Sequence, residues 1–158
     1  MVNSKDKLLM ENISKFYNKE YINDILPITQ GNSKLSLRVL DWFVTNYCKT
    51  HNIILRNKKK PYNIYLDYKS QLKAFSKKQF DPFCRRERIV FYYDKSNYIT
   101  TTVGQLNFFK WAIENDILSY VNNNLKMIEE NMNKSCSLRI TGSKEINKNN
   151  MNITISFQ

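Results

Sequence analysis

The sequence predicts a single α+β domain, with a small antiparallel sheet packed by two amino-terminal helices and one long later helix. Apolar residues recur at spacings of three and four over 5–26, 34–50 and 103–133, and they alternate with polar residues in the stretches between. With 158 residues, 42% hydrophobic and 13% aromatic, the chain can bury one core and is too short for two of ordinary size.

Over 5–26, Leu8, Leu9, Ile13, Phe16, Tyr17, Tyr21, Ile25 and Leu26 fall on one helical face. Pro27, which cannot donate a backbone hydrogen bond, limits that helix. The turn at 30–33 ends on Ser33, the expected cap of a second helix from Lys34 to about Thr50. Its stripe is Leu35, Val39, Trp42 and Phe43, widened by Leu40, Val44 and Tyr47. Tyr62, Ile64, Leu66 and Tyr68 then alternate with Asn63, Tyr65, Asp67 and Lys69, the pattern of a half-buried strand, with 53–56 pairing to it across 57–61. Segments 89–93 and 98–102 flank Asp94-Lys95-Ser96-Asn97, which predicts a hairpin with a four-residue loop and, in all, a meander of four strands.

Thr102 followed by Gln105 is a capping box, and it opens a helix expected to reach about Asn133 with Leu106, Phe109, Ile113, Ile117, Tyr120 and Val121 buried. The cluster Phe108-Phe109-Lys110-Trp111 points in too many directions for one neighbour. That helix is therefore either covered on several sides or presents aromatic rings to a partner. The domain is expected over 1–134, with 135–158 forming a carboxy-terminal β-hairpin or a loosely ordered tail.

Charge singles out one part of the chain. The net charge is +11, and residues 56–95 hold 12 basic and 4 acidic side chains, whereas 1–55 and 96–158 are nearly balanced. Such a concentration favours a phosphate-rich partner. Within it, KSQLKAFSKKQFDPFCRRER at 69–88 interleaves cations with phenylalanines. Lys73, Lys77, Lys78, Arg85, Arg86 and Arg88 are candidates to neutralise phosphates, the arginines through bidentate contacts, and Phe80 and Phe83 are candidates to stack on bases. Lys58, Lys59 and Lys60 form a second basic turn. The competing reading makes the phenylalanines core residues and the charges a solvated face.

Other chemistries lack their residues. His51 is the one histidine, and Gly31, Gly104 and Gly142 are too far apart for a phosphate cradle. The acids Asp41, Asp67, Asp81 and Glu87 have no spacing that favours a magnesium site, and Cys48, Cys84 and Cys136 form no zinc or disulfide pattern. No apolar run approaches the roughly 18 to 20 residues of a membrane span. The expectation is a non-enzymatic protein without metal or cofactor, kept in the cytoplasm or nucleus.

Three stretches, LSLRVLDWFVTNYCK at 35–49, YKSQLKAFSKKQFDPFCRRERI at 68–89 and TTVGQLNFFKWAIENDILSYV at 101–121, resemble a family of small uncharacterised proteins of nucleocytoplasmic large DNA viruses. The resemblance spans the central two-thirds of the chain. It implies a setting in the host cytoplasm or nucleus, the viral factory or the virion, and brings no catalytic motif. The expected function is nucleic-acid binding, with DNA favoured over RNA and little sequence selectivity, in packaging or organising viral DNA or in assisting transcription. The alternative is a virion or assembly protein that contacts viral structural proteins or forms a homodimer through its aromatic helix.

Overall fold

The computed structural model describes residues 4–17, 21–57, 60–83 and 87–136. The chain divides into two compact units, Met1–Asn123 and Asn124–Gln158. The first mixes helices with antiparallel strands, the α+β class expected, but the strands form two separate hairpins instead of one meander.

The helix expected over 5–26 is interrupted. Helix α1 (Ser4–Phe16) buries Leu9 and Ile13 and leaves Leu8 exposed, Tyr17 and Tyr21 lie in turns, and α2 (Ile22–Thr29) buries Ile22, Ile25 and Ile28. Pro27 lies inside α2 instead of ending it. Its carbonyl accepts from the amides of Asn32 (2.8 Å) and Ser33 (3.1 Å), so the helix closes in the turn after the proline.

Ser36, and not Ser33, caps the next helix: its Oγ accepts from the Val39 amide at 3.2 Å, while Ser33 Oγ accepts from the Leu35 amide. Helix α3 (Leu37–Trp42) runs through a π-helical turn (Phe43–Tyr47) into α4 (Cys48–His51), which ends on left-handed Asn52. The expected stripe is buried throughout except for half-buried Trp42.

Strand β1 (Ile54–Asn57) pairs with β2 (Lys60–Asn63), Ile54 opposite Asn63 and Asn57 opposite Lys60. The strand expected over 62–69 stops at Asn63, because the extended Asn63 caps a helix by accepting from the Leu66 amide at 3.0 Å. Helix α5 (Ile64–Phe80) follows. The alternating set contained Ile64 and Tyr68, four apart; these two are buried while Leu66, on the other side, is 63% exposed.

Strands β3 (Arg88–Tyr92) and β4 (Tyr98–Thr102) make the expected hairpin, closed by the Tyr93 amide donating to the Asn97 carbonyl. Thr102 caps α6 (Val103–Glu114) as expected, its Oγ1 accepting from the Gln105 amide at 3.0 Å. The Gln105 side chain does not complete the reciprocal half of the box, since its Oε1 accepts from the Thr101 hydroxyl at 2.8 Å. The long helix is also broken: Asn115 caps α6, Asp116 is left-handed (φ 60°), and α7 (Ile117–Asn123) starts anew. In the second unit, residues 125–136 are helical. The hairpin or tail expected at 135–158 lies, apart from Ser135 and Cys136 in that helical run, outside the described residues.

Helix α6 is the centre of the first unit, packed on α5 and on α1. Phe108 and Phe109 are fully buried and Trp111 nearly so; Phe108 and Trp111 meet Tyr68 and Phe80 in edge-on and tilted contacts, and Phe109 lies edge-on to Phe108. The aromatic cluster is therefore covered on several sides. It leaves no ring face for the homodimer contact expected of it.

Candidate nucleic-acid interface

Helix α5 has a buried side and a basic side. On the buried side, Ile64, Tyr68 and Phe80 enter the core. Polar bonds fix the helix to its neighbours: Trp111 Nε1 donates to Asp67 Oδ2 at 2.6 Å, Asn107 Nδ2 donates to the Gln79 carbonyl at 2.9 Å, and Gln79 Nε2 donates to Asp6 Oδ1. Before the helix starts, the Tyr62 hydroxyl donates to the Asn115 carbonyl. The opposite side presents Lys69 and Lys73, one turn apart and both exposed, with exposed Lys77 and Lys78 in the last turn. None of these four has an acidic partner among the described residues. By contrast, Lys110 is occupied, bonded to Glu114 at 3.0 Å and lying over the Phe16 ring.

Between the two pairs of lysines the helix kinks at Ser76 (φ 69°, ψ 166°). Phe75 and Phe80, five residues apart, would point roughly 140° from each other on a straight helix. The kink lets them stack with ring centroids 6.1 Å apart. Phe80 is thereby drawn wholly into the core and cannot stack on a base, which corrects the sequence-based expectation; the reading of it as a core residue holds.

Phe83 stays outside that core. The residue is 46% exposed, and its amide donates to Asp81 Oδ1 at 2.8 Å in a tight turn after α5. That turn lies against the start of α6: a Cβ on Gly104 would stand 2.6 Å from the Asp81 carbonyl oxygen, so only glycine allows the approach. Gly104 follows Thr102 by two residues, and Thr102 is opposite Arg88. The end of α5 with Lys77, Lys78 and Phe83 is thus brought beside the Arg88 end of the β3–β4 hairpin. Arg88 and Lys60 are exposed. Lys58, Lys59, Cys84, Arg85 and Arg86 lie outside the described residues.

The hairpin adds residues that the sequence reading passed over. Phe91, Ile99 and Thr101 face inward, Phe91 meeting the Tyr17 ring edge-on at 6.0 Å. Arg88, Val90, Tyr92, Tyr98 and Thr100 are exposed. Tyr92 and Tyr98 are cross-strand partners, their ring centroids 5.3 Å apart. Beyond them, the turn carries Lys95 and Asp94, whose carboxyl is held below its usual range by hydrogen bonds from the Asn97 side chain and from the Ser96 and Asn97 amides.

The acids considered for magnesium have other surroundings. Asp41 is raised to about 6, by burial first and then by the charge of Asp81. The same two carboxylates, after burial, push Tyr68 up to about 12. Among the described residues no group of three or more histidine, cysteine, aspartate or glutamate side chains could hold a metal ion. His51 stacks on Tyr47 at 4.1 Å, and Cys48 is buried, its thiol pushed up by desolvation. No helix among the described residues is long and apolar enough to cross a membrane.

A family of unknown function, DUF7197, matches residues 2–156. The chain belongs to this family. It is also 41% identical over 142 residues to the uncharacterized protein L507 of Acanthamoeba polyphaga mimivirus, a match that covers 83% of the chain and 55% of the relative. The chain thus spans about half the length of this curated relative. The match agrees with the resemblance to proteins of large DNA viruses. No solved structure matches the chain.

Proposed function

We propose that this DUF7197 chain is a non-catalytic nucleic-acid-binding protein of a giant virus, acting through the basic side of α5, the Phe83 turn and Arg88. The observation behind this reading is the set of exposed lysines at 69, 73, 77 and 78 with no acidic partner among the described residues. An unpaired row of cations on a helix fixed by part-buried hydrogen bonds offers phosphate contacts with little ordering left to do. Part of that charge also has a structural use, since Lys77 and Lys78 complement the carboxy-terminal end of the helix dipole. The dipole does not account for Lys73 and Lys69, one and two turns earlier. Binding through phosphates would have little sequence selectivity, which suits organising or packaging viral DNA or assisting transcription in the factory or virion.

The test is fluorescence-anisotropy titration of the nuclease-treated chain against labelled duplex and single-stranded DNA over a range of salt, beside a variant carrying Lys73→Ala, Lys77→Ala and Lys78→Ala. Each phosphate contact contributes about 0.9 to the slope of log K against log salt, so the triple variant should lose about 2 to 3 from that slope. Absence of binding to duplex or single strands at low salt would overturn the reading and favour assembly through viral structural proteins.

A further inference from the structure

We infer that the outer face of the β3–β4 hairpin is a stacking platform for unpaired bases, so that the preferred ligand is a single strand of nucleic acid. This rests on the nucleic-acid reading above and names its substrate class. Three of the nine large hydrophobic side chains exposed among the described residues, Val90 (54%), Tyr92 (60%) and Tyr98 (55%), lie on this one face of ten strand residues. The hairpin does not need them for its attachment, because Phe91 and Ile99 provide the buried side.

A cross-strand tyrosine pair does stabilise a hairpin modestly. That role can be filled by strand-forming residues that keep far less aromatic area in water. Exposed rings beside cations are what a single strand uses, since every base has a π-face and every linkage a phosphate. The charge is arranged accordingly. Arg88 lies at the end of the face nearest Lys77, Lys78 and Phe83, whereas the turn beyond Tyr92 and Tyr98 balances Lys95 against Asp94. A strand would lay its backbone along the lysine and arginine end and its bases over Phe83 and the tyrosines. A duplex, with its bases stacked inside, could use the cations alone.

The experiment measures anisotropy of labelled oligodeoxyuridylate, oligouridylate and a duplex with the full chain, with Tyr92→Thr/Tyr98→Thr and with Tyr92→Phe/Tyr98→Phe. Threonine keeps the strand preference, and circular dichroism checks the fold. Loss of stacking should weaken single-strand binding about 5- to 100-fold per ring in the threonine variant, with the phenylalanine variant and duplex binding unchanged. The stronger of the two single-stranded ligands then identifies the sugar. If the threonine variant does not fold, photocrosslinking the native chain to 5-iodouracil-substituted oligonucleotides replaces it. Adducts at Tyr92 or Tyr98 support the platform, and adducts only elsewhere overturn it. If the threonine variant binds single strands like the native chain while the triple lysine variant does not, the platform falls and the nucleic-acid reading stands. No binding to any ligand at low salt overturns both.

Discussion

Helices α5 and α6 lie against each other, yet they use their surfaces in opposite ways. In α6, the side chains of Leu106, Asn107, Phe108, Phe109, Trp111 and Ala112 are all buried, so almost every direction around the helix meets protein. In α5, three buried residues anchor seventeen, and the rest are exposed lysines and serines, partly exposed polar side chains such as Asp67 and Gln79, and apolar groups that reach solvent, Leu66 most of all. Substitutions in α6 should therefore act through folding. Substitutions on the basic side of α5 should act through binding, with stability nearly unchanged.

The sharpest test of that division lies within a single motif. Phe80 and Phe83 are three residues apart, but one is fully buried against Tyr68, Phe108 and Trp111 while the other is 46% exposed. Phe80→Ala should cost about 3 to 5 kcal/mol in urea unfolding, the cost of emptying an aromatic site in a packed core. Phe83→Ala should change stability by less than about 0.5 kcal/mol. Comparable losses at the two positions would mean that the turn after α5 is packed and not presented to solvent.

The contrast was partly legible in the sequence. Thr102 followed by Gln105, and 89–93 and 98–102 around a polar loop, fixed the start of α6 and the hairpin because caps and turns depend on a few neighbouring side chains. Helix α5 was misread because Tyr62, Ile64, Leu66 and Tyr68 satisfy a period of two, and only Asn63 as a cap decides for the helix. The break at Asn115-Asp116 had no breaker residue to announce it, since a left-handed aspartate is permitted without being demanded. In the candidate site the basic segment was visible as composition, but Phe80 could be separated from Phe83 only once the kink at Ser76 was known. The Tyr92–Tyr98 pair depended on knowing which side of the hairpin met Tyr17.

A second test uses pH. Asp41, in α3, is raised to about 6 by burial and by Asp81, the residue that caps α5. An acid whose folded pKa lies above its unfolded value of 3.8 holds more protons folded than unfolded between the two. Its contribution to stability therefore falls as pH rises from about 4 to about 6; at neutral pH the shift would cost about 3 kcal/mol unscreened, and about 1 to 2 kcal/mol once solvent screening of the partly exposed carboxylate is counted. Asp41→Asn should remove that dependence and raise stability at pH 7 by a similar amount, read from urea midpoints at pH 4.5 and 7. If the variant and native curves run parallel between these pH values, Asp41 is not held among apolar groups beside Asp81, and the end of α5 is more open to water than its neighbours imply.

The smallest expected gain in stability concerns how the two halves of the basic side are joined. Ser76 has φ 69° and ψ 166°, a backbone region that a side chain strongly disfavours and glycine occupies freely. Ser76→Gly relieves that strain and at the same time enlarges the conformational freedom of the unfolded chain, and the two effects oppose each other. A net gain of about 0.5 to 1 kcal/mol in thermal or urea unfolding is expected, with nucleic-acid binding unchanged. The opposite sign has its own meaning. A straight helix would lose about 1 kcal/mol on taking glycine at an interior position. That loss would place Lys69, Lys73 and Lys77 on one continuous ridge, at successive four-residue steps. Phe75 and Phe80 would then point apart, and the exposed row of cations would be longer and its aromatic backing thinner than the kinked helix provides.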